Sequence, residues 1–100
     1  MADFLVYLKS ELLDAVYLQQ DAFNEIDSSC PVARQRRVFE LLERIVDTDF
    51  SFDDKDTARR YFQTLTQAFK DWHQTELDSE AYTAQKAKIE ELVADPAKAA

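Results

Sequence analysis

Apolar residues recur at steps of three and four along most of the chain, which is the spacing of one face of an α-helix. This pattern predicts four helices, at about residues 4–20, 31–49, 54–76 and 79–94. The third has the most regular apolar face, which we expect to lie in the core: Ala58, Tyr61, Phe62, Leu65, Ala68, Phe69 and Trp72. The predicted fold class is all-α, an antiparallel bundle of three to four helices in a single domain, residues 1–100.

The first predicted helix differs from the others because it is apolar almost all round. Leu5, Leu8 and Leu12 follow the helical period, and Tyr7 and Tyr17 add apolar surface on other sides. Such a helix is normally buried on more than one side, and a chain of 100 residues has little with which to cover it twice. Two interpretations follow: part of the helix contacts something outside the chain, or the two tyrosines simply lie on the surface.

Polar residues and prolines predict where the helices begin and end. Residues 21–30, rich in Asp, Asn and Ser, predict a loop, and Pro31 suits the first position of a helix. The candidate N-caps are Asp3, Ser29 or Cys30, Asp53 or Asp54, and Asp78-Ser79. Pro96 is expected to stop the fourth helix.

Composition excludes several classes of function. The chain contains no glycine, which excludes both the Walker-type and the dinucleotide-type phosphate loops. Its net charge of −8 opposes general binding to nucleic acid or to anionic membranes. No apolar run approaches the roughly 20 residues of a membrane span, and the first residues carry no basic segment typical of a signal peptide. One cysteine cannot form an internal disulfide, which fits a reducing compartment.

Few residues suggest catalysis. His73 is the single histidine and Cys30 the single cysteine, so we predict no metal site and no catalytic residue in this chain. Arg34, Arg36 and Arg37 form the one basic cluster. Three interpretations of it stay open: a solvated helix start, a contact for an acidic partner, or a small nucleic-acid patch, of which we favour the first.

The stretch from Tyr17 to Pro31 contains more than an inter-helix connection needs. Gln19 and Gln20 stand beside an apolar pair, Ala22 and Phe23. A site for a flat, partly polar ring uses this mixture, because apolar side chains cover the faces of the ring while amides bond its edge.

This stretch, YLQQDAFNEIDSSCPVARQ, resembles the C-terminal helical domain of the catalytic A subunit of V-type ATPases and ATP synthases. That family typically reads phenylalanine-leucine-glutamine-glutamine-asparagine-alanine-phenylalanine, followed by a short acidic segment and a cysteine. The matching positions are Leu18, Gln19, Gln20, Ala22, Phe23, Ile26, Asp27, Cys30 and Gln35. Tyr17 replaces the usual phenylalanine, and Asp21 replaces the usual asparagine. The specific part of the match covers about 20 residues.

The resemblance implies a fragment of a rotary motor that couples ATP hydrolysis or synthesis to proton or sodium transport. It implies that Gln19, Gln20, Ala22 and Phe23 close over the adenine of bound ATP or ADP, with Mg²⁺ held elsewhere in the intact subunit. The partners would be the B subunits and the central stalk, in a soluble, cytoplasmic head peripheral to the membrane. Phe23 would then be more exposed than Phe62 or Phe69 in this chain alone. The alternative is a stand-alone acidic helical interaction module.

Overall fold

Four α-helices form the part of the chain that the structure describes. The computed structural model describes residues 2–26, 31–76 and 78–96, and at residues 23–26 and 31–33 the backbone alone. The helices are α1 (Ala2–Ile26), α2 (Pro31–Asp47), α3 (Lys55–His73) and α4 (Glu80–Ala94). The all-α class is therefore confirmed, and α2, α3 and α4 begin and end within three residues of the predicted positions.

Consecutive helices run in opposite directions, as predicted. Contact positions that advance along one helix move back along the next: Lys9 with Thr48 and then Tyr17 with Phe39 for α1 and α2, and Tyr61 with Leu92 and then Trp72 with Tyr82 for α3 and α4. Within the described ranges, no helix is both long enough and apolar enough to cross a membrane.

The first and third helices are parallel neighbours. Near their N-terminal ends, the Lys55 ammonium lies 5.4 Å from the centre of the Phe4 ring. Further along, Gln19 donates a hydrogen bond from Nε2 to the Thr66 carbonyl at 3.3 Å. The two helices therefore lie side by side with matching direction, which leaves a groove along the surface between them.

The core is centred on α3. All seven residues predicted for its apolar face are buried, and Leu65, Phe69 and Trp72 are fully enclosed. The α2 face contributes Val38, Leu41, Leu42 and Ile45, and the α4 face contributes Tyr82, Ile89, Leu92 and Val93. Each such large side chain contributes about 1.5–3 kcal/mol when it is removed from water.

The connection between α2 and α3 adds aromatic residues to this core. Phe50 is buried, and its ring centre lies 5.2 Å from that of Tyr61 and 5.6 Å from that of Phe62. The tilted and edge-to-face arrangements are the favourable ones for aromatic pairs. The break in helical pattern after α2 thus places an aromatic side chain in the core rather than in solvent.

Among the predicted N-caps, two are confirmed and one is wrong, and the candidates Ser29 and Cys30 lie outside the described residues. Asp54 caps α3 by accepting from the Thr57 amide at 2.7 Å, and this hydrogen bond lowers the pKa of its carboxyl group. Ser79 caps α4 by accepting from the Tyr82 amide at 3.1 Å. Asp3 is not a cap because α1 begins at Ala2. Asp3 lies in the first turn, where its charge complements the helix dipole.

Cationic side chains occupy helix C-termini where other proteins often use glycine. Helices commonly end in a left-handed glycine, and this chain has none. Lys9 of α1 donates to the carbonyls of Val46 and Thr48 at 3.0 and 2.9 Å, at the end of α2. The end of α3 receives Arg34 in the same way, so the two helix ends depend on contacts between helices.

Candidate functional site

The stretch Gln19–Phe23 lies inside α1, and the predicted loop at residues 21–30 is wrong at its start. The helix continues to Ile26, six residues beyond the predicted end. The polar composition suggested a loop, but no glycine or proline precedes Pro31 to break the helix, and Ala22 is a strong helix former. The candidate residues are therefore presented by a rigid helix rather than by a loop.

Gln19 is turned toward α3. Its side chain is half-buried and donates from Nε2 to the Thr66 carbonyl at 3.3 Å, while its buried Oε1 has no hydrogen-bond partner in the structure. The amide of Gln19 is thus fixed against α3.

Gln20 is buried, with 6% of its surface exposed, and its Nε2 has no hydrogen-bond partner in the structure. A buried amide donor left unpaired costs about 1–3 kcal/mol. Trp72 Nε1 and Gln85 Oε1 are buried without a partner in the same way, so this feature does not distinguish Gln20 as a ligand-binding residue.

The helix separates the candidate residues. Consecutive helical positions differ by roughly 100°, so the side chains of Gln19 and Gln20 leave α1 in different directions. Ala22 and Asp21 are both exposed. Ala22 stands three positions after Gln19 and shares its side of the helix. The structure thus brings Gln19 and Ala22 together and sets Gln20 on the adjacent side.

The side chain of Phe23 lies outside the described residues, so its expected exposure stays a prediction. Its two comparison residues, Phe62 and Phe69, are both buried, with 3% and 0% of their surfaces exposed.

One residue of the basic cluster, Arg34, proves to be structural, a role that none of the three interpretations includes. Arg34 is buried, and its guanidinium donates to the carbonyls of Trp72, His73 and Thr75 at the end of α3. The sequence contained a signal for this position: 34, 38, 41 and 45 continue the helical period of the buried α2 face. An arginine at a core-facing position indicates a buried partner.

The other two arginines of the cluster differ from each other. Arg37 donates to Asp78 at 2.8 Å and to the Tyr82 hydroxyl at 3.1 Å, and these bonds raise its pKa. Arg36 is exposed. Only Arg36 therefore has the solvated character that we had favoured for the whole cluster.

His73 is buried in the core beside Trp72. Its Nδ1 lies 2.8 Å from the Phe69 carbonyl, and burial lowers its pKa. Cys30 lies outside the described residues. Among the residues that are described, no three side chains of His, Cys, Asp or Glu are grouped so that they could hold a metal ion.

A groove of about 740 Å³ runs between α1 and α3. Leu8, Leu12 and Phe62 are buried at its base, and Tyr7 and Leu18 stand at its edge with 56% and 69% of their surfaces exposed. The remaining lining residues are Glu11, Asp14, Ala15, Arg59, Gln63, Thr66 and Gln67. Apolar residues on this side of α1 thus remain exposed, because the other helices of this chain do not cover them.

The opposite side of α1 also carries apolar surface. Tyr17 packs edge-to-face on Phe39 of α2 at 5.6 Å between ring centres, and both remain partly exposed. Val6 and Val46 are exposed as well, at 63% and 44%. Both interpretations of the first helix therefore stay open. Its two tyrosines lie on the surface, and α1 also exposes apolar side chains that do not belong to the core of this chain.

Comparison with known proteins shows similarity to the alpha chains of bacterial V-type ATP synthases. The chain is 43% identical over 89 residues to V-type ATP synthase alpha chain 1 of Treponema pallidum, which is 89% of this chain and 15% of that protein. It is 40% identical over 95 residues to the alpha chain of Treponema denticola and 41% identical over 93 residues to that of Protochlamydia amoebophila, in each case 16% of the relative.

The chain therefore spans about a sixth of the length of these relatives, and the matched part is their C-terminal region. No protein-family model matches the chain, and no solved structure matches it significantly. The relatives confirm the resemblance to this family, and the match covers about nine-tenths of the chain.

Proposed function

Because this chain is homologous to the C-terminal region of V-type ATP synthase alpha chains, we propose that it serves as the helical domain of the catalytic subunit of a rotary ATPase or ATP synthase. The observation that carries the proposal is the extent of the match, which covers 95% of the chain in the Treponema denticola protein. The motor couples ATP hydrolysis or synthesis to proton or sodium transport.

Within that motor, this domain closes the adenine side of the nucleotide site. Gln19, Gln20, Ala22 and Phe23 provide the contacts: Phe23 an aromatic surface, Ala22 a close apolar wall and the amides polar bonds. One observation supports this role: Ala22 is exposed on α1, so a ring can approach its side chain.

The chemistry of phosphoryl transfer takes place on another part of the subunit. A glycine-free sequence provides no phosphate loop, and Mg²⁺ and the phosphates of ATP or ADP are held outside this domain. The domain acts by shaping the adenine pocket and by transmitting open and closed states. Taken alone, it is catalytically inactive.

The partners of this domain are the B subunits and the central stalk, in the soluble head that is peripheral to the membrane on the cytoplasmic side. Apolar side chains exposed on two sides of α1 support contacts beyond this chain, since Val6 and Leu18 are each more than 60% exposed. Isolated apolar residues are common on surfaces, whereas large contiguous apolar patches mark contacts with other proteins.

A chimera tests the proposal. Residues 2–96 replace the matching C-terminal region of the Treponema denticola alpha chain, and the assembled complex is supplied with an azido-adenine nucleotide. We expect ATP hydrolysis and photolabelling within the Gln19–Phe23 segment. A complex that assembles and hydrolyses ATP but is labelled only elsewhere contradicts the adenine role. A chimera that does not assemble, beside a parental complex that does, contradicts the wider proposal.

The second candidate is a stand-alone acidic helical interaction module, which the groove between α1 and α3 and the net charge of −8 favour. The natural gene distinguishes the two. A reading frame that continues upstream through a phosphate-loop motif supports the motor subunit, whereas a natural start at Met1 supports the module.

A further inference from the structure

The groove between α1 and α3 has the dimensions of a helix-binding site. The two helices are parallel, and the edge of the groove on α1 extends from Tyr7 to Leu18. Eleven helical steps span about 16 Å, or three turns. The base is apolar, formed by Leu8, Leu12 and Phe62. A helix laid along it would bury this apolar base.

The α1 edge of the groove has the spacing of a coiled-coil seam. Tyr7, Glu11, Asp14 and Leu18 follow one another at steps of four, three and four residues. This spacing is that of the a and d positions of a heptad, which face a partner helix along its whole length. A partner helix in the groove would therefore meet all four of these side chains.

The chemistry of this seam is apolar at both ends and acidic in the middle. Tyr7 and Leu18 are 56% and 69% exposed, and the carboxylates of Glu11 and Asp14 stand between them on the exposed face. Glu11 accepts a hydrogen bond from the Tyr7 hydroxyl at 2.6 Å, which leaves its carboxylate further acceptor sites. A partner helix with apolar residues at both ends and cationic residues in the middle would complement this edge.

Among the residues that line the groove, the α3 edge carries one cation, Arg59, beside the neutral Gln63 and Gln67. An ion pair with Asp56 at 3.4 Å partly offsets the charge of Arg59. The chain as a whole carries a net charge of −8, which attracts a basic partner at long range. The carboxylates on α1 are thus the charges that decide the sign of the ligand.

We propose that the α1–α3 groove binds an amphipathic helix of another polypeptide, whose apolar face is about three turns long and carries Lys or Arg at its centre. Apolar contacts at Tyr7 and Leu18 hold the two ends of this helix, and ion pairs with Glu11 and Asp14 fix its register. The inference is independent of the adenine role, because none of these four residues belongs to the Gln19–Phe23 segment.

The test uses two labelled helical peptides of about 18 residues, a length that sustains a helix with good helix formers. Both carry leucines at the seam positions; one has lysines at the centre and the other has glutamates there. Fluorescence anisotropy gives the affinities, and ¹⁵N chemical shifts map the site. We expect the lysine peptide to bind at least about tenfold more tightly than the glutamate peptide, and more weakly at about 0.5 M salt.

Variants of the chain separate the groove from other surfaces. Leu18→Ser is expected to lower the affinity for the lysine peptide at least about tenfold. The control Val6→Ser removes a similarly exposed apolar residue from the other side of the same helix and is expected to leave this affinity unchanged. The double change Glu11→Gln and Asp14→Asn is expected to abolish the preference for lysine over glutamate.

Several results would overturn the proposal. One is that the lysine peptide does not bind at about 1 mM. Another is that it binds the Leu18→Ser variant as tightly as the natural chain. A third is that the ¹⁵N chemical-shift changes are confined to the Tyr17–Phe39 surface. Self-association of the chain that Leu18→Ser removes would assign the groove to a second copy instead.

Discussion

Arg34 of α2 donates a hydrogen bond to the carbonyl of Trp72 at 3.0 Å, at the point where α3 ends. The same guanidinium also reaches the carbonyls of His73 and Thr75, and its plane lies over Tyr82 of α4 at 5.4 Å. The last carbonyls of a helix have no partners within it, and a cation there also complements the helix dipole. One side chain therefore joins three helices at the end of the helix that forms most of the core.

Replacement of Arg34 by methionine is expected to lower the free energy of unfolding by about 2–4 kcal/mol, because buried carbonyls lose charged hydrogen-bond donors. Urea denaturation followed by Trp72 fluorescence measures this loss. Arg34→Lys keeps the charge but lacks the planar fork, so an intermediate loss is expected. Arg36→Met is the matched control: Arg36 is exposed on the same helix, and its change should stay within about 0.5 kcal/mol. Equal effects at the two positions would show that the cap contributes nothing.

The pH dependence of stability provides a test of His73. Burial, aided by the charge of Arg34, lowers the pKa of this histidine below its ordinary value of 6.5. The unfolded chain therefore binds a proton there at a higher pH than the folded chain does. The stabilising contribution is complete above about pH 7.5 and is lost progressively as the pH falls through about 6.5 toward the folded pKa.

Urea denaturation at several pH values between about 5.5 and 7.5, a range above the ordinary titration of carboxylates, measures this loss for the natural chain. His73→Gln is expected to flatten the curve, since the variant has no histidine. A slope that persists unchanged in the variant would assign the pH dependence to other groups.

Phe69→Ala tests the core. Phe69 is fully enclosed and lies 6.2 Å from Trp72 between ring centres. Its removal is expected to cost about 3–5 kcal/mol, which approaches the whole stability of a small domain, so the variant should be largely molten. Phe39→Ala removes an aromatic ring that is 38% exposed and should cost about 1 kcal/mol. A loss below about 1 kcal/mol for Phe69→Ala in urea would contradict its place in the core.

The sequence predicted what depends on local periodicity. The α3 core face follows from the spacing of Tyr61, Leu65, Phe69 and their neighbours, and the caps Asp54 and Ser79 follow from short-range side-chain chemistry. The end of α1 did not follow, because polar residues that favour loops are also tolerated in a helix that no glycine or proline interrupts. Ala22 lies in the part of α1 beyond the predicted end, so its place on the side that it shares with Gln19 is a consequence of that longer helix.

The pattern of residues along the sequence does not predict contacts between distant parts of the chain. Arg34 is separated from its acceptors at the end of α3 by about 40 positions, and its role depends on how α2 crosses that end. The groove also depends on packing between distant segments. The seam of Tyr7, Glu11, Asp14 and Leu18 forms the edge of a groove only because α3 lies parallel to α1. The wide apolar arc of the first helix indicated an outside contact but not its direction.

The isolated chain is expected to show no ATP hydrolysis and, at best, millimolar nucleotide binding. Phosphate and Mg²⁺ contacts dominate nucleotide sites of this kind, and a sequence without glycine has no phosphate loop to supply them. Isothermal titration calorimetry with ATP and Mg²⁺ measures the affinity. Micromolar binding would show that the domain holds a nucleotide site of its own, which contradicts the proposed role as one wall of a shared pocket.

Phe23→Ala in the full alpha subunit tests the adenine role most directly. Loss of one aromatic surface against a base costs on the order of 1–3 kcal/mol, which corresponds to a rise of roughly 5- to 150-fold in the apparent KM for ATP. Little loss of folding is expected, because the ring would contact nucleotide rather than the core. Tyr17→Ala is the matched control: it removes an exposed aromatic ring from the same helix, on the side that faces Phe39, and should leave KM unchanged. If Phe23→Ala keeps the natural KM, the adenine assignment of Gln19, Gln20, Ala22 and Phe23 is wrong, while the homology to the alpha chains stands.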